Sequence, residues 1–295
     1  MIRKSVWLNW ILFVALSVIW GSSFILMKAG LKELSAYQVA ALRMLSAGLI
    51  LLPIAIGRFK TLSKPLLGKV ILSGLLGSFF PAFLFCLAET RIDSSLAGIL
   101  NSLTALFTLV IGILFFRTPL VPQKLAGVLI GLLGLVLLFV SKGRVDLGQL
   151  SYASLVLLAT LFYGLNVNMV GTHLRSIPSL DIAAIAFSFL IPPSLLVLFF
   201  TGYFALPLTQ STVALATLAS VVLGMIGTAV ASILFYMLLK RAGALFASTV
   251  TYGIPFVAIG WGLAYGESLN LAQVASLGVI LWGVYLVNRP SKQSS

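Results

Sequence analysis

Apolar residues in this chain neither recur with the one-sided spacing of a soluble helix nor alternate as in a half-buried strand. They come in long runs broken by short clusters of charge, proline and glycine. A bilayer core about 30 Å thick is crossed by about 20 residues of helix, so each run of that length predicts one membrane span. Ten appear: Trp7 to Ala29, Ala36 to Gly57, Leu66 to Ala88, Ser94 to Phe116, Val121 to Val140, Leu150 to Gly171, Asp181 to Gly202, Val213 to Leu239, Ala244 to Tyr265 and Leu271 to Asn288. The pattern predicts an all-α integral membrane protein with ten transmembrane helices. The connections are a few residues each, which leaves no soluble domain and no room for a loop-borne active site. The first run exceeds a signal-peptide core and lacks a cleavage site, so it is expected to stay as an anchor, and the tail Ser291 to Ser295 is expected to be disordered.

Composition sharpens this picture. Of 295 residues, 60% are hydrophobic and 8% charged, against about 45–50% and 25% in soluble domains. The net charge of +13 would raise the question of nucleic acid in a soluble protein, but here the cations sit in the gaps between spans and report orientation instead. With a cytoplasmic N-terminus, thirteen cations fall inside: Arg3, Lys4, Arg58, Lys60, Lys64, Lys69, Arg117, Lys124, Arg175, Lys240, Arg241, Arg289 and Lys292. Only five, Lys28, Lys32, Arg91, Lys142 and Arg144, fall outside. Both termini are therefore expected in the cytoplasm.

Catalytic chemistry is hard to assemble from these residues. Cys86 is the lone cysteine, His173 is the lone histidine and falls in a loop, and no phosphate-binding glycine loop occurs. No cofactor, no metal and no enzymatic activity is expected.

Sliding the chain on itself by 143 to 150 positions aligns Trp20-Gly21 with Tyr163-Gly164, Ala40 with Ala183, Arg91 with Arg241, Ala97 with Ala247, Gly112 with Gly262 and Gln123 with Gln273. The common order indicates two five-helix repeats, residues 1–143 and 144–290. Because five is odd, the second repeat must enter the membrane from the opposite side. Such a 5+5 inverted repeat can rock around a midplane site between outward-open and inward-open states, which is alternating access.

Trp20-Gly21-Ser22-Ser23-Phe24, then Lys28 and Leu42-Arg43, open the first half, and Tyr252-Gly253-Ile254-Pro255-Phe256 with Gly266-Glu267 and Gln273 lie near the end of the second. Together they resemble the drug/metabolite transporter superfamily in its form with two tandem EamA domains. The first half departs from the pattern, with Ala105 and Arg117 where the second has Pro255 and Glu267. The resemblance implies a secondary transporter of the bacterial inner membrane that moves small metabolites, with export of amino acids or related compounds as the leading expectation. It implies a small-molecule substrate and a lipid bilayer as partners, no nucleic acid, and a monomer or homodimer. A lipid flippase or lipid-handling membrane enzyme is the rival expectation.

Polar side chains at bilayer depth either pair or line a path. Arg43, about 10 Å into the second span, either faces a cavity and holds an anionic group of a substrate, or pairs with Glu89 or Asp93 at the same outer level. Lys28 is a snorkelling residue at the outer end of the first helix, or a gate or substrate contact of the cavity. Ser23 aligns with Asn166 and Asn101 with Thr251, so these four either form polar rings around a pocket or tie helices together. Trp20, Phe79, Tyr163, Tyr252 and Trp261 are candidate cavity walls, while Trp7 and Trp10 read as interface anchors. Pro81, Pro192, Pro193 and Pro255 are hinge candidates or permanent kinks. Gly127 and Gly131 permit close approach of another helix.

Overall fold

The computed structural model describes residues 2–59, 62–119, 121–141, 147–264 and 270–289. Lys60, Lys142, Arg144, Asp146, Gly266, Glu267, Lys292 and the tail 291–295 lie outside the described residues.

The described residues are helical with short connections and contain no strand. Lipid offers no hydrogen bonds, so each crossing segment must satisfy its backbone internally. The first matched half contains α1 (Ile2–Leu31), α2 (Ala36–Ile56), α3 (Lys64–Gly74), a π-helical turn (Leu75–Phe79), α4 (Phe80–Ala88), α5 (Ser94–Asn101), α6 (Thr104–Phe116) and α7 (Pro122–Ser141). The second contains α8 (Leu147–His173), α9 (Ser179–Phe189), α10 (Ile191–Phe200), α11 (Ser211–Gly224), a second π-helical turn (Met225–Val230), α12 (Ala231–Ser248), α13 (Val250–Ala264) and α14 (Leu271–Asn288). Among the described residues, seven helical runs are long and apolar enough to cross a bilayer.

The expected eighth and ninth spans meet where the sequence pattern breaks: just past Lys240-Arg241 the chain turns at Gly243 (φ 87, ψ 165), a non-helical residue that separates two helices. An L side chain resists that backbone conformation, which is why glycine serves there. Before the turn the chain runs against α1: Ser220 meets Gly30, Gly227 meets Ser23, and Arg241 Nε donates to Asn9 Oδ1 at 3.2 Å. After it the chain climbs beside α1, with Phe246 packing on Trp10 and Phe13, Gly253 on Ser17, and Val257 on Gly21.

The fourth span is also broken, between α5 and α6, although Ala105 stands where the second half has a proline. Ser102 Oγ donates to Ile99 O at 2.6 Å, adding to the Ser102 N–H bond to the same carbonyl at 3.0 Å. Ser248 and Thr249 do the same at the α12–α13 junction, donating to Leu245 O at 2.8 Å and Phe246 O at 2.6 Å.

Helices α7 and α14 pack together antiparallel. Gln123 Nε2 donates to Leu286 O at 3.1 Å, and Asn270 Nδ2 donates to Ser141 O at 3.0 Å. A Cβ on Gly283 would lie 2.5 Å from Gly131 N and 2.6 Å from Gly127 O, so the small-residue face of α7 is occupied by α14 of the same chain. Asn270 also caps α14, accepting from Gln273 N at 2.8 Å while Gln273 Oε1 accepts from Asn270 N at 3.0 Å. Asn270→Ala removes both the cap and the tie to Ser141. It is expected to lower stability by about 1 kcal/mol, read as a lower melting temperature in detergent; an unchanged melt would show that the cap is dispensable.

Candidate functional site

A cavity of about 80 Å³ lies between the two halves. From the first half come Trp20, Ser23, Phe24 and Met27 of α1, Arg43 of α2, Gly77 and Ser78 of the first π-turn, Phe85 of α4, Asn101 of α5 and Thr104 of α6. From the second come Tyr163, Asn166 and Val167 of α8, Gly227 and Thr228 of the second π-turn, Ser232, Phe235, Tyr236 and Ser248 of α12, and Thr251 of α13. Hydroxyls, amides and aromatic rings dominate the wall, and Arg43 is its one charged residue.

The structure brings seven of the sequence-derived positions together here: Trp20, Ser23, Arg43, Asn101, Tyr163, Asn166 and Thr251. The residues paired by the repeat alignment, Trp20 with Tyr163, Ser23 with Asn166 and Asn101 with Thr251, face the same space. Contacts are also exchanged between the halves. Gly227 faces Ser23 and Gly77 faces Asn166; Gly21 meets Val257 and Gly164 meets Phe107; Gly224 approaches Arg43 and Gly74 approaches Ala186. Each second contact is the first moved by the same two offsets, 143 and 150.

Four expected wall residues lie elsewhere. Lys28 sits one turn beyond Phe24, with Nζ 4.0 Å from Asp93 Oδ1, so a partner holds it in the last turn of α1. Phe79 packs among Phe80 and Phe83, its ring centroid 4.8 Å from the latter. Tyr252 follows Thr251, and one helical step of about 100° turns its ring from the cavity into the protein interior, where it is buried. Trp261 is 41% exposed on the outer surface and donates from Nε1 to Ser22 Oγ at 2.9 Å.

The expected pairing of Arg43 with Glu89 or Asp93 also needs correction. Asp93 is drawn to Lys28. Arg43 donates from Nε to Thr228 Oγ1 at 2.6 Å, and among the described residues no carboxylate lies within 4 Å of it. Glu89 ends α4 and is buried rather than exposed at a helix end, one turn beyond Phe85.

Of the proline positions, Pro81 follows the first π-helical turn inside the continuous helical run Lys64–Ala88, whereas Pro192 and Pro193 lie in the first turn of α10, after a break at Leu190, where an amide hydrogen has no intrahelical partner in any case. Pro255 lies inside α13, and Pro53 inside α2 is a further one.

The π-turns were missed from sequence, with the cavity residues Gly77, Ser78, Gly227 and Thr228 that they carry. A usable signal existed: Gly74-Leu75-Leu76-Gly77-Ser78 recurs as Gly224-Met225-Ile226-Gly227-Thr228, 150 positions later. In the second turn Thr228 Oγ1 donates to Leu223 O at 3.3 Å, five residues back, and Trp20 Nε1 donates to Gly227 O at 3.0 Å. Across the wall, Ser73 Oγ donates to Asn166 Oδ1 at 2.7 Å and lies 3.2 Å from Tyr236 Oη, which ties α3, α8 and α12 together.

Comparison with known proteins agrees with this architecture. A solved crystal structure superposes on 97% of this chain and 97% of its own with a TM-score of 0.66 at 17% identity, a likeness of fold. An uncharacterized transporter of Archaeoglobus fulgidus is 28% identical over 95% of this chain and 99% of its own length. The uncharacterized inner membrane transporter YedA of Escherichia coli is 26% identical over 92% and 88%. A probable amino-acid metabolite efflux pump of Salmonella typhimurium is 32% identical over 41% and 39%. The sequence model of the EamA-like transporter family matches twice, at residues 8–140 and 150–289. Two consecutive matches over nearly the whole length, on apolar helices that enclose a cavity lined by aromatic and polar side chains, make this chain a multi-pass membrane protein of the EamA-like transporter family, whose members are transporters and not enzymes.

Proposed function

We propose that the protein is a secondary transporter that exports a small metabolite, an amino acid or a related compound, across a bacterial inner membrane by alternating access. The observation that carries this reading is a polar, aromatic-walled cavity built at reciprocal positions from both matched segments. The reading takes the chain as ten spans in a 5+5 inverted repeat, residues 1–143 and 144–290, with both termini cytoplasmic. The exchanged contacts support a two-fold relation between the halves, and an odd number of spans in each half makes that relation an inversion. The interrupted fourth and ninth spans and the two π-turns border the same space, and with Pro255, one turn beyond Thr251, they supply the joints about which half-helices tilt. One chain encloses the cavity, so a monomer suffices. No carboxylate lines the wall among the described residues, which favours uniport or exchange down a substrate gradient over proton antiport. The names of the Escherichia coli and Salmonella relatives support the membrane and the substrate class.

The test is counterflow in liposomes with a panel of labelled amino acids and labelled lipid. Amino-acid exchange without lipid movement is expected; lipid scrambling without exchange would overturn the reading in favour of a flippase.

A further inference from the structure

Arg43 is 9% exposed and sits on the cavity wall. A guanidinium this deep in a membrane protein needs an anionic or hydrogen-bonding partner, or the loss of hydration is uncompensated. Its one hydrogen bond among the described residues engages Nε, which donates to Thr228 Oγ1 at 2.6 Å. Among the described residues no acid forms an ion pair with Arg43: Asp93 lies near Lys28, Asp181 lies 3.6 Å from Arg58, and Glu89 and Arg43 both act on the Cys86 thiol without pairing with each other.

Thr228 is placed to aim the guanidinium. Its hydroxyl proton goes to Leu223 O, five residues back, and its lone pair receives Arg43 Nε. This anchors the planar group at one edge and leaves the terminal amino groups without a protein acceptor among the described residues. The related positions in the other half are Ala186 for Arg43 and Ser78 for Thr228, so the device exists once. Facing it are aromatic pairs, Trp20 with Phe235 at 5.2 Å and Phe24 with Phe85 at 5.8 Å between ring centroids.

We propose that Arg43, oriented by Thr228, is the anion subsite of the transporter, and that its substrates are small monocarboxylates with an apolar body. The terminal N–H groups of Arg43 take the two carboxylate oxygens in parallel hydrogen bonds. The rings take the apolar body, and the amides and hydroxyls of Asn101, Asn166 and Ser23 accept from an amino group where one is present. A dianion finds no second cation on the wall, and an amine without a carboxylate meets the arginine charge unopposed. This inference rests on the transport reading and narrows it to a substrate class.

Purified protein is assayed for binding and liposome counterflow with four probes that share one apolar body: L-leucine, leucinamide, isopentylamine and isopentyl phosphate. Leucine is expected to bind about 10- to 100-fold more tightly than the other three, the range of a charge-assisted hydrogen-bond pair. Arg43→Gln should erase that preference, and Arg43→Lys should keep the sign but lose about 10-fold. Thr228→Val should weaken leucine binding about 10-fold, with Thr228→Ser restoring it. If Arg43→Gln fails to fold, the lysine variant and the Thr228 pair decide. An equal preference in wild type and Arg43 variants, or tighter binding of the amine, amide or phosphate, would overturn the subsite while counterflow of any probe leaves transport standing. Absence of all counterflow by folded protein, with leucine still bound preferentially through Arg43, would instead overturn the transport reading.

Discussion

Gly224→Val is expected to lower the melting temperature and abolish counterflow together. A Cβ at Gly224 would fall on Ser46 Oγ and on the carbonyl oxygen of Arg43, and 3.0 Å from the carbonyl carbon behind it. A side chain could swing away; the backbone of α2 cannot. Accommodating valine requires α2 to move off the second π-turn, which separates Arg43 from Thr228. Overpacking of a tight core costs about 1–3 kcal/mol, and a backbone obstacle puts this site at the upper end. The reciprocal position supplies the control. At Gly74 the added Cβ would lie 3.0 Å from Ala186 Cβ and 3.3 Å from Ala186 O, a milder crowding that a small shift of α9 relieves. Gly74→Val should therefore lose less stability. Equal melting temperatures for the two variants would show that α2 does not approach the π-turn as closely as described.

Asn166→Ala should be the most damaging polar substitution in the cavity wall. Asn166 Oδ1 accepts the proton of Ser73, whose oxygen also lies within hydrogen-bond distance of the Tyr236 hydroxyl. Ser73 is fully buried, so alanine at 166 takes its shorter bond and leaves it only the 3.2 Å contact with Tyr236 Oη. A buried donor left without its partner costs about 1–3 kcal/mol. Counterflow should fall about 10-fold, the consequence of losing one positioning interaction between α3, α8 and α12. Ser73→Ala should be milder, because Asn166 lines the cavity and can be rehydrated there. If Ser73→Ala proves as destabilising as Asn166→Ala, the junction depends on the serine and not on the amide.

Membrane insertion and helical spans were legible because lipid penalises every unsatisfied backbone group, so length and apolarity alone select them. The repeat was legible too, and it led directly to Ser23, Asn166, Asn101 and Thr251, since positions equivalent under a pseudo-two-fold axis reach its centre in pairs. Facing was not legible. Tyr252 and Thr251 are neighbours with opposite surroundings, and Trp261 belongs to the outer surface, yet α13 is apolar on all sides and offers no polar stripe to tell inside from outside. Thr228 escaped notice because a hydroxyl in a long apolar run carries no mark of its role until the π-turn places it beside Arg43.

From composition, run length and the distribution of cations one can deduce that the chain lives in a bilayer, that it is helical and that it repeats, for each is a property of one segment against its solvent. Which faces turn inward, that Asp93 goes to Lys28, and that Arg43 meets Thr228 emerged only when the helices were assembled. These depend on rotation and lateral neighbours between segments distant in the chain, and an environment equally apolar on every side imposes no preference on either.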